Sequence, residues 1–289
     1  MPELPEVETM RIQLEKFLVG SVIQDIKILS PKIISGNIKE IIGGKVTGVR
    51  RFAKVASIDL DNGYSILTHV KLTGQFIYRG PNLKDPSTLS KKVAGGVPGP
   101  HTHVVFHFKD GGKLYYNDIR RFGWIRVVRS SEIEREKFIS KLGPEPHVAK
   151  GFAGQALTFE LFLKILSKTA RPVKVVLMDQ SKIGGIGNIY ANDALWLAQI
   201  DPRKPSKQLD NKTTRQLYDA ILTVLKNGLK YGGASELAFV TPDGQEGEYQ
   251  NHTLVFNHTG ELCIRCKKGT VEKYFLSGRG TYWCSHCQK

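Results

Sequence analysis

All four cysteines of this chain lie in its last 27 residues, as Cys263-x2-Cys266 and Cys284-x2-Cys287. Disulfides bracing a fold of 289 residues would be spread along it. Two short knuckles seventeen residues apart instead bring four thiolates to one tetrahedral ion, and zinc is the expected metal. Such clips also serve purely structural ends, so the informative stretch is the one between the knuckles, "KKGTVEKYFLSGRGTYW". It sets Arg279 between Gly278 and Gly280 on a small rigid base, where a guanidinium can reach a phosphate.

Charge points the same way. Lys and Arg number 42 against 27 Asp and Glu, a formal charge of +15, so a polyanion, and nucleic acid above all, is the expected partner. The plainer alternative is excess charge kept for solubility. No stretch approaches the roughly 20 apolar residues of a membrane helix, and the acidic start lacks the basic and apolar regions of a secretory signal. A cytoplasmic location without a membrane partner is expected.

Val7, Met10, Leu14, Phe17 and Leu18 recur at helical spacing and Gly20 closes the run, predicting a helix from near Pro5. Glu6 and Glu8 suit its positive end. From 22 to about 128 the pattern turns to strands: "VIQDIKIL", "KVTGVRRFAKVASIDL", "YSILTHVKLTGQFIYRG", "HTHVVFHFKD" and "KLYYNDIRRFGWIRVV". "DNG" at 61–63 and "DGG" at 110–112 predict antiparallel hairpins. Residues 81–100, rich in Pro, Gly, Ser and Lys, predict a long, exposed, poorly ordered loop. "GPEPHVAKG" at 143–151 marks a domain boundary, and helices follow at about 158–168, 172–180, 189–199 and 213–230. "HTLVFNH" at 252–258 reads as a strand leading into the cysteines. The class is α+β, with domains at 1–142, 151–235 and 250–289.

Three further stretches could carry chemistry. In "DQSKIGGIGNIYANDALW", Gly184, Gly185 and Gly187 precede a helix whose free N–H groups suit a phosphate, although glycine-rich turns between helices are often only structural. "NDIRRFG" at 117–123 sets arginines beside an aromatic in what reads as a hairpin or loop, either a wedge for a duplex or a solvated Arg121 with Phe122 in the core. Lys54, read within a strand, shares a face with Phe52 and Ala56, so it is either snorkelling or functional.

Together "PELPEVET" after Met1, the lysine of "RRFAK", "RRFG", "LGPEP" at 142–146, "GIGNIYA" and the four-cysteine finger ending in "CQK" resemble the bacterial formamidopyrimidine-DNA glycosylases, in family order over essentially the whole chain. The resemblance implies an N-terminal β-sandwich flanked by helices, a helical helix-two-turn-helix domain with the zinc finger, and damaged double-stranded DNA bound between them by a monomer. It implies excision of oxidised purines such as 8-oxoguanine and formamidopyrimidines, then strand cleavage by β,δ-elimination. Pro2, exposed as the terminal amine once Met1 is removed, would be the nucleophile and Glu3 the acid and base, with Glu6 in support. Lys54 would serve proton transfer and phosphate contact, and Arg279 the δ-elimination. His101, Arg120 and Asn188 match DNA-contacting positions, with Lys168 the nearest lysine for another. Phe122 and Arg120 match gap-filling residues. The third such position, usually Met, is Leu72, and Ile119 stands where Pro is usual. A lesion-covering loop is placed within "ASELAFVTPDGQEGEYQ". An endonuclease VIII-like glycosylase for oxidised pyrimidines and a non-catalytic zinc-ribbon DNA-binding protein are the alternatives.

Overall fold

The computed structural model describes residues 1–84, 88–148 and 152–289. Parts of the expected loop and of the expected boundary, at 85–87 and 149–151, fall outside the described residues. The chain forms two compact units. The first runs to Ser140 and adds Phe152, Ala153 and Leu229–Gln250; the second comprises Lys141–Val148, Gly154–Gly228 and Asn251–Lys289.

The first unit opens with helix α1 (Leu4–Leu18) and continues through strands β1 (Ile23–Ile28), β2 (Ile34–Gly36), β3 (Val46–Phe52), β4 (Val55–Leu60), β5 (Tyr64–His69), β6 (Gly74–Arg79), β7 (Thr102–Phe108), β8 (Lys113–Asp118) and β9 (Trp124–Arg129). They form two sheets, β1-β7-β8-β6 and β2-β9-β5-β4-β3. The α1 residues at helical spacing, Val7, Met10, Leu14, Phe17 and Leu18, join the core with Ile58, Ile66, Phe76, Phe106 and Tyr116. Burying side chains of this size contributes roughly 1.5–3 kcal/mol each. The turns at 61–63 and 110–112 are formed as expected, with Gly63 and Gly111 at positive φ.

Three of the expected strands are each two strands. The run at 45–60 breaks at Ala53-Lys54 into the β3–β4 hairpin, closed by the pair Phe52 and Val55. The run at 64–80 breaks at 70–73, and that at 113–128 breaks at 119–123, each passing from one sheet to the other. None of the breaks shows the usual Asn-Gly or Asp-Gly signal. Instead Ala53, Lys71 and Arg121 take positive φ, near 49°, 53° and 57°. A left-handed L-residue costs roughly 1–2 kcal/mol, and the surroundings must hold it there.

The second unit carries α2 (Phe159–Ser167), α3 (Val173–Met178), α4 (Asn188–Leu197), α5 (Asn211–Lys230) and the hairpin β10 (Glu272–Leu276) and β11 (Arg279–Trp283). The expected strand at 252–258 is absent. Asp193 on α4 accepts both the Val255 and Phe256 N–H groups at 3.1 Å, so they are taken before any sheet could use them. No helix of the described residues is long and apolar enough to cross a membrane.

Candidate functional site

α1 begins in a buried, charged turn. Pro2 is buried and Met1 exposed. Glu3, Glu6 and Glu8 are all at most 3% exposed. Such carboxylates persist only when partnered. The two oxygens of Glu6 accept the Glu3 N–H and the Ala234 N–H, each at 2.7 Å. This ties the first turn to the chain that follows α5. Gly233 lies so close that a Cβ there would stand 2.8 Å from Glu6 Cγ, and its φ is +83°. Glycine is required on both counts.

Glu8 holds two arginines. Its carboxylate accepts Arg11 Nε at 2.8 Å and Arg51 Nε at 2.7 Å. Arg51, wholly buried, also donates to the Ala53 carbonyl at 2.9 Å. Arg11 reaches the Val49 carbonyl. The helix thus runs along β3 with its first turn directed towards the Ala53-Lys54 hairpin. Lys54 is a turn residue, not a strand residue, and is only 3% exposed. Removing one partner of a buried pair like Glu8–Arg51 costs about 3–5 kcal/mol.

The other two breaks lie at the same end of the sandwich, because they join the ends of β5 and β8 to the starts of β6 and β9. Asp118 braces both. Its carboxylate accepts Thr73 Oγ1 at 2.5 Å, the Arg120 N–H at 3.2 Å and the Gly123 N–H at 2.8 Å. Its own N–H donates to the His101 carbonyl and its carbonyl is bonded by His103. Leu72, His101, Arg120 and Phe122 are therefore brought to one rim. Phe122 is 58% exposed, with the Arg120 guanidinium 4.7 Å from its ring centroid. This excludes the alternative that placed Phe122 in the core. Beneath the rim His69 accepts the Lys71 N–H, and burial, with Lys71 and Lys54 nearby, holds its pKa down at about 3.

In the second unit the glycine turn leads into α4. Gln180 carries it, accepting the Gly185 N–H at 3.0 Å and donating to the Ile186 carbonyl at 2.7 Å. The "LGPEP" stretch packs on this turn, with the Gly184 N–H donating to the Pro144 carbonyl. Asn188, the first residue of α4, donates to the Gly280 carbonyl at 3.0 Å. Lys174, 1% exposed, donates to the same carbonyl and to Thr281 Oγ1, both at 2.8 Å. The residue after Arg279 is thus locked, while Arg279 itself stays exposed at the start of β11. Lys168 is exposed at the end of α2 and lines a separate groove with Pro144, Lys164 and Lys182. The lysine that the fold brings to the finger is Lys174, four residues before "MDQ" begins; its buried ammonium, not its sequence, marks it out.

The four cysteine sulfurs lie within 4.8 Å of one another. Cys263 and Cys287 are 3.7 Å apart and Cys266 and Cys284 3.8 Å. A tetrahedron with bonds of about 2.3 Å has edges of about 3.8 Å, so the set fits a Zn2+ ion. The Gly269 N–H draws the Cys266 thiol down to about 6, while burial pushes Cys287 up to about 12. Binding a cation would draw all four donors to the thiolate form, with release of the protons still held. The finger is fused to α4: Trp196 packs with Val255, Val271, Tyr282 and two of the cysteines, and Arg265 caps the Trp196 and Leu197 carbonyls.

Residues 1–125 match the family model described as the formamidopyrimidine-DNA glycosylase N-terminal domain, and residues 142–239 its H2TH domain. The formamidopyrimidine-DNA glycosylases of Listeria innocua and Streptococcus pneumoniae are 34% and 33% identical, over the whole of this chain and 100% and 99% of theirs. Among solved structures, the complex between the Lactococcus lactis Fpg and an abasic site containing DNA superposes with TM-score 0.83 at 32% identity over 99% of both chains. The MutM (Fpg) protein from Thermus thermophilus gives the same score and identity over 99% of this chain and 98% of that one. The chain belongs to the formamidopyrimidine-DNA glycosylase family. It is a DNA glycosylase, acting on damaged DNA.

Proposed function

We propose that this glycosylase excises oxidised purines, 8-oxoguanine and formamidopyrimidines, with the Pro2 amine as nucleophile once Met1 is removed, and then cleaves the strand by β,δ-elimination. The observation that carries this reading is the buried first turn of α1, where Pro2 and Glu3 stand in sequence and Glu6 holds the Glu3 backbone at 2.7 Å. A group that attacks carbon must be fixed and largely dry. The unprotonated secondary amine attacks the anomeric carbon, and the carbon–nitrogen bond to the base breaks as Glu3 assists the leaving base and opening of the sugar. The iminium so formed is cationic without a proton and acts as an electron sink. Loss of a proton from the adjacent carbon expels the 3′ phosphate, and a second elimination expels the 5′ phosphate. Lys54, buried at the hairpin beside the helix start, moves protons in the first elimination, and Arg279 meets a phosphate in the second.

The rim supplies the gap filler: Phe122 and Leu72 enter the stack and Arg120 takes the space of the extruded nucleotide, with His101 on the backbone. Asn188 and Lys168 contact the DNA from the second unit. The cysteines hold one structural Zn2+, which fixes the hairpin of Arg279. The modules are the catalytic sandwich domain 1–142, the helix-two-turn-helix domain 151–235 and the finger 250–289, working as a monomer.

Borohydride reduction during turnover on a duplex with 8-oxoguanine opposite cytosine tests the reading. A covalent adduct mapping to Pro2 is expected. An adduct at another residue, or none, overturns the mechanism, and turnover of thymine glycol but not 8-oxoguanine overturns the substrate class.

A further inference from the structure

The segment expected to be a disordered surface loop, at 88–93, is fastened to the chain that follows α5. The Ser90 N–H donates to the Gly244 carbonyl at 2.9 Å, and Ser90 Oγ donates to Glu246 Oε1 at 2.5 Å. Lys92 pairs with Glu246 Oε2 at 2.5 Å and donates to the Ser235 carbonyl. The Gln75 side chain on β6 donates to the Lys92 carbonyl at 2.9 Å and to the Ala238 carbonyl at 2.5 Å, joining both segments to the sheet. Val93 and Val240 bury into one cluster with Ile77, Val105 and Tyr115, and Leu89 packs against it. The fit is tight. A Cβ on Gly244 would meet Leu89 Cδ2 at 2.3 Å.

What is fastened matters, because Ala234 at the head of this segment donates to Glu6, which also holds Glu3. Ser235, Ala238, Phe239 and Val240 are buried, yet Leu237 between them is 61% exposed. A base presented to the first turn of α1 would therefore meet a segment whose position is set from residues 88–93. An ion pair 28% and 36% exposed contributes little to global stability. Its effect is on local geometry, where small displacements cost rate.

We propose that Thr88–Val93 is a clasp on Ala234–Gly247, and that Lys92 is a positioning residue for excision of the base and not for cleavage of the strand. This rests on the function proposed above. The two steps separate on two substrates, since a preformed abasic site offers no base to position. Lys92→Met keeps the stem and removes the ammonium. It is expected to lower kcat/KM on 8-oxoguanine by on the order of 10-fold, with abasic-site cleavage within about twofold. Hydrogen exchange at 234–247 should rise in the same variant. Gly244→Ala, whose Cβ would crowd Leu89 at 2.3 Å and Arg79 Nη2 at 3.1 Å while leaving the Lys92 and Glu246 side chains unaltered, should reproduce both effects. The Lys92→Glu, Glu246→Lys double variant should recover part of the excision rate relative to Lys92→Glu alone. Equal losses on both substrates would make the clasp merely structural, and unchanged excision with unchanged exchange would remove it; either overturns the proposal. If the parent enzyme neither cuts abasic DNA nor forms a borohydride adduct, the proposed function fails instead, and hydrogen exchange alone still decides whether Lys92 holds the segment.

Discussion

The first turn of α1 and the tip of the finger hairpin are built on opposite principles. In the turn every carboxylate is buried and bonded, Glu6 to two backbone N–H groups and Glu8 to two arginines. At the hairpin the charged group, Arg279, is exposed, and only the backbone beneath it is fixed, by Lys174 and Asn188 on the Gly280 carbonyl. On the function proposed above, the contrast follows from the tasks. A group that forms a bond to carbon gains from a dry, fixed setting, whereas one that meets a phosphate needs reach and pays little desolvation beforehand. The first unit stores its order in side-chain networks; the finger, with so small a core, would draw its order from the ion that its four cysteines are proposed to hold.

The largest expected effect breaks the two apart. If the finger holds the proposed ion, a chelator would withdraw a binding free energy of about 10–16 kcal/mol in modules of this kind, and Cys284→Ser a part of it. Hydrogen exchange should show protection lost from 263–289 and kept in the β-sandwich, with DNA affinity falling sharply. Loss of protection in both units together would refute the contrast. Next comes Glu3→Gln, which keeps the backbone bond to Glu6 and removes the acid. Excision of 8-oxoguanine should fall by about 10²–10⁴ while cleavage of a preformed abasic site falls far less. Single-turnover rates on the two substrates measure it.

Acid probes the dry side of the comparison. His69 is buried neutral with its pKa depressed to about 3, against about 6.5 when unfolded. The unfolded chain therefore binds the proton more readily, and the stability this group supports, intact above pH 6.5, is lost as pH falls from there towards 3. By pH 4.5 the loss is about 2–3 kcal/mol at 1.36 kcal/mol per unit. Urea midpoints across pH 4.5–7 should show it. His69→Gln, which keeps an acceptor for the Lys71 N–H, should flatten the profile.

The regular parts of both units were legible in the letters: the apolar stripe of α1, the glycine hairpins at 61–63 and 110–112, the helices after 158 and the cysteine knuckles. What stayed hidden clusters beside the residues proposed to act. Ala53 and Lys71 take left-handed backbone inside what read as continuous strands, and Arg121 takes it within the hairpin or loop read at 117–123; they stand next to Lys54, Leu72, and Arg120 with Phe122. Ser277 does the same two residues before Arg279. Alternation continues through such breaks because the side chains that hold the strain are themselves fixed by partners far along the chain: Arg51, on the Ala53 carbonyl, is held by Glu8, and Asp118, on the Arg120 N–H, by Thr73. Lys174 was hidden for a related reason, since only the tertiary fold sets its ammonium on the finger. Gln199, Asn257 and Lys267 also take positive φ away from these residues, so strain alone does not mark a site.

The smallest effect tests the exposed side of the comparison. Arg279 follows the tight Ser277-Gly278 turn, and its exposure means that removing it leaves no buried partner unpaired. Arg279→Ala should therefore leave the melting temperature unchanged and weaken DNA binding by only about 1–2 kcal/mol, alike for every duplex sequence. The signature is in salt: one phosphate contact fewer lowers the slope of log K against log salt by about one. Arg279→Lys should restore the slope but less of the affinity, because an ammonium meets a phosphate as a point charge and cannot grip it with two parallel bonds. Titrations at three salt concentrations distinguish these outcomes. A slope that does not move in Arg279→Ala would mean that the guanidinium acts at the reacting sugar and not as a simple phosphate contact, and would place the hairpin tip with the first turn of α1 among the groups that need fixing.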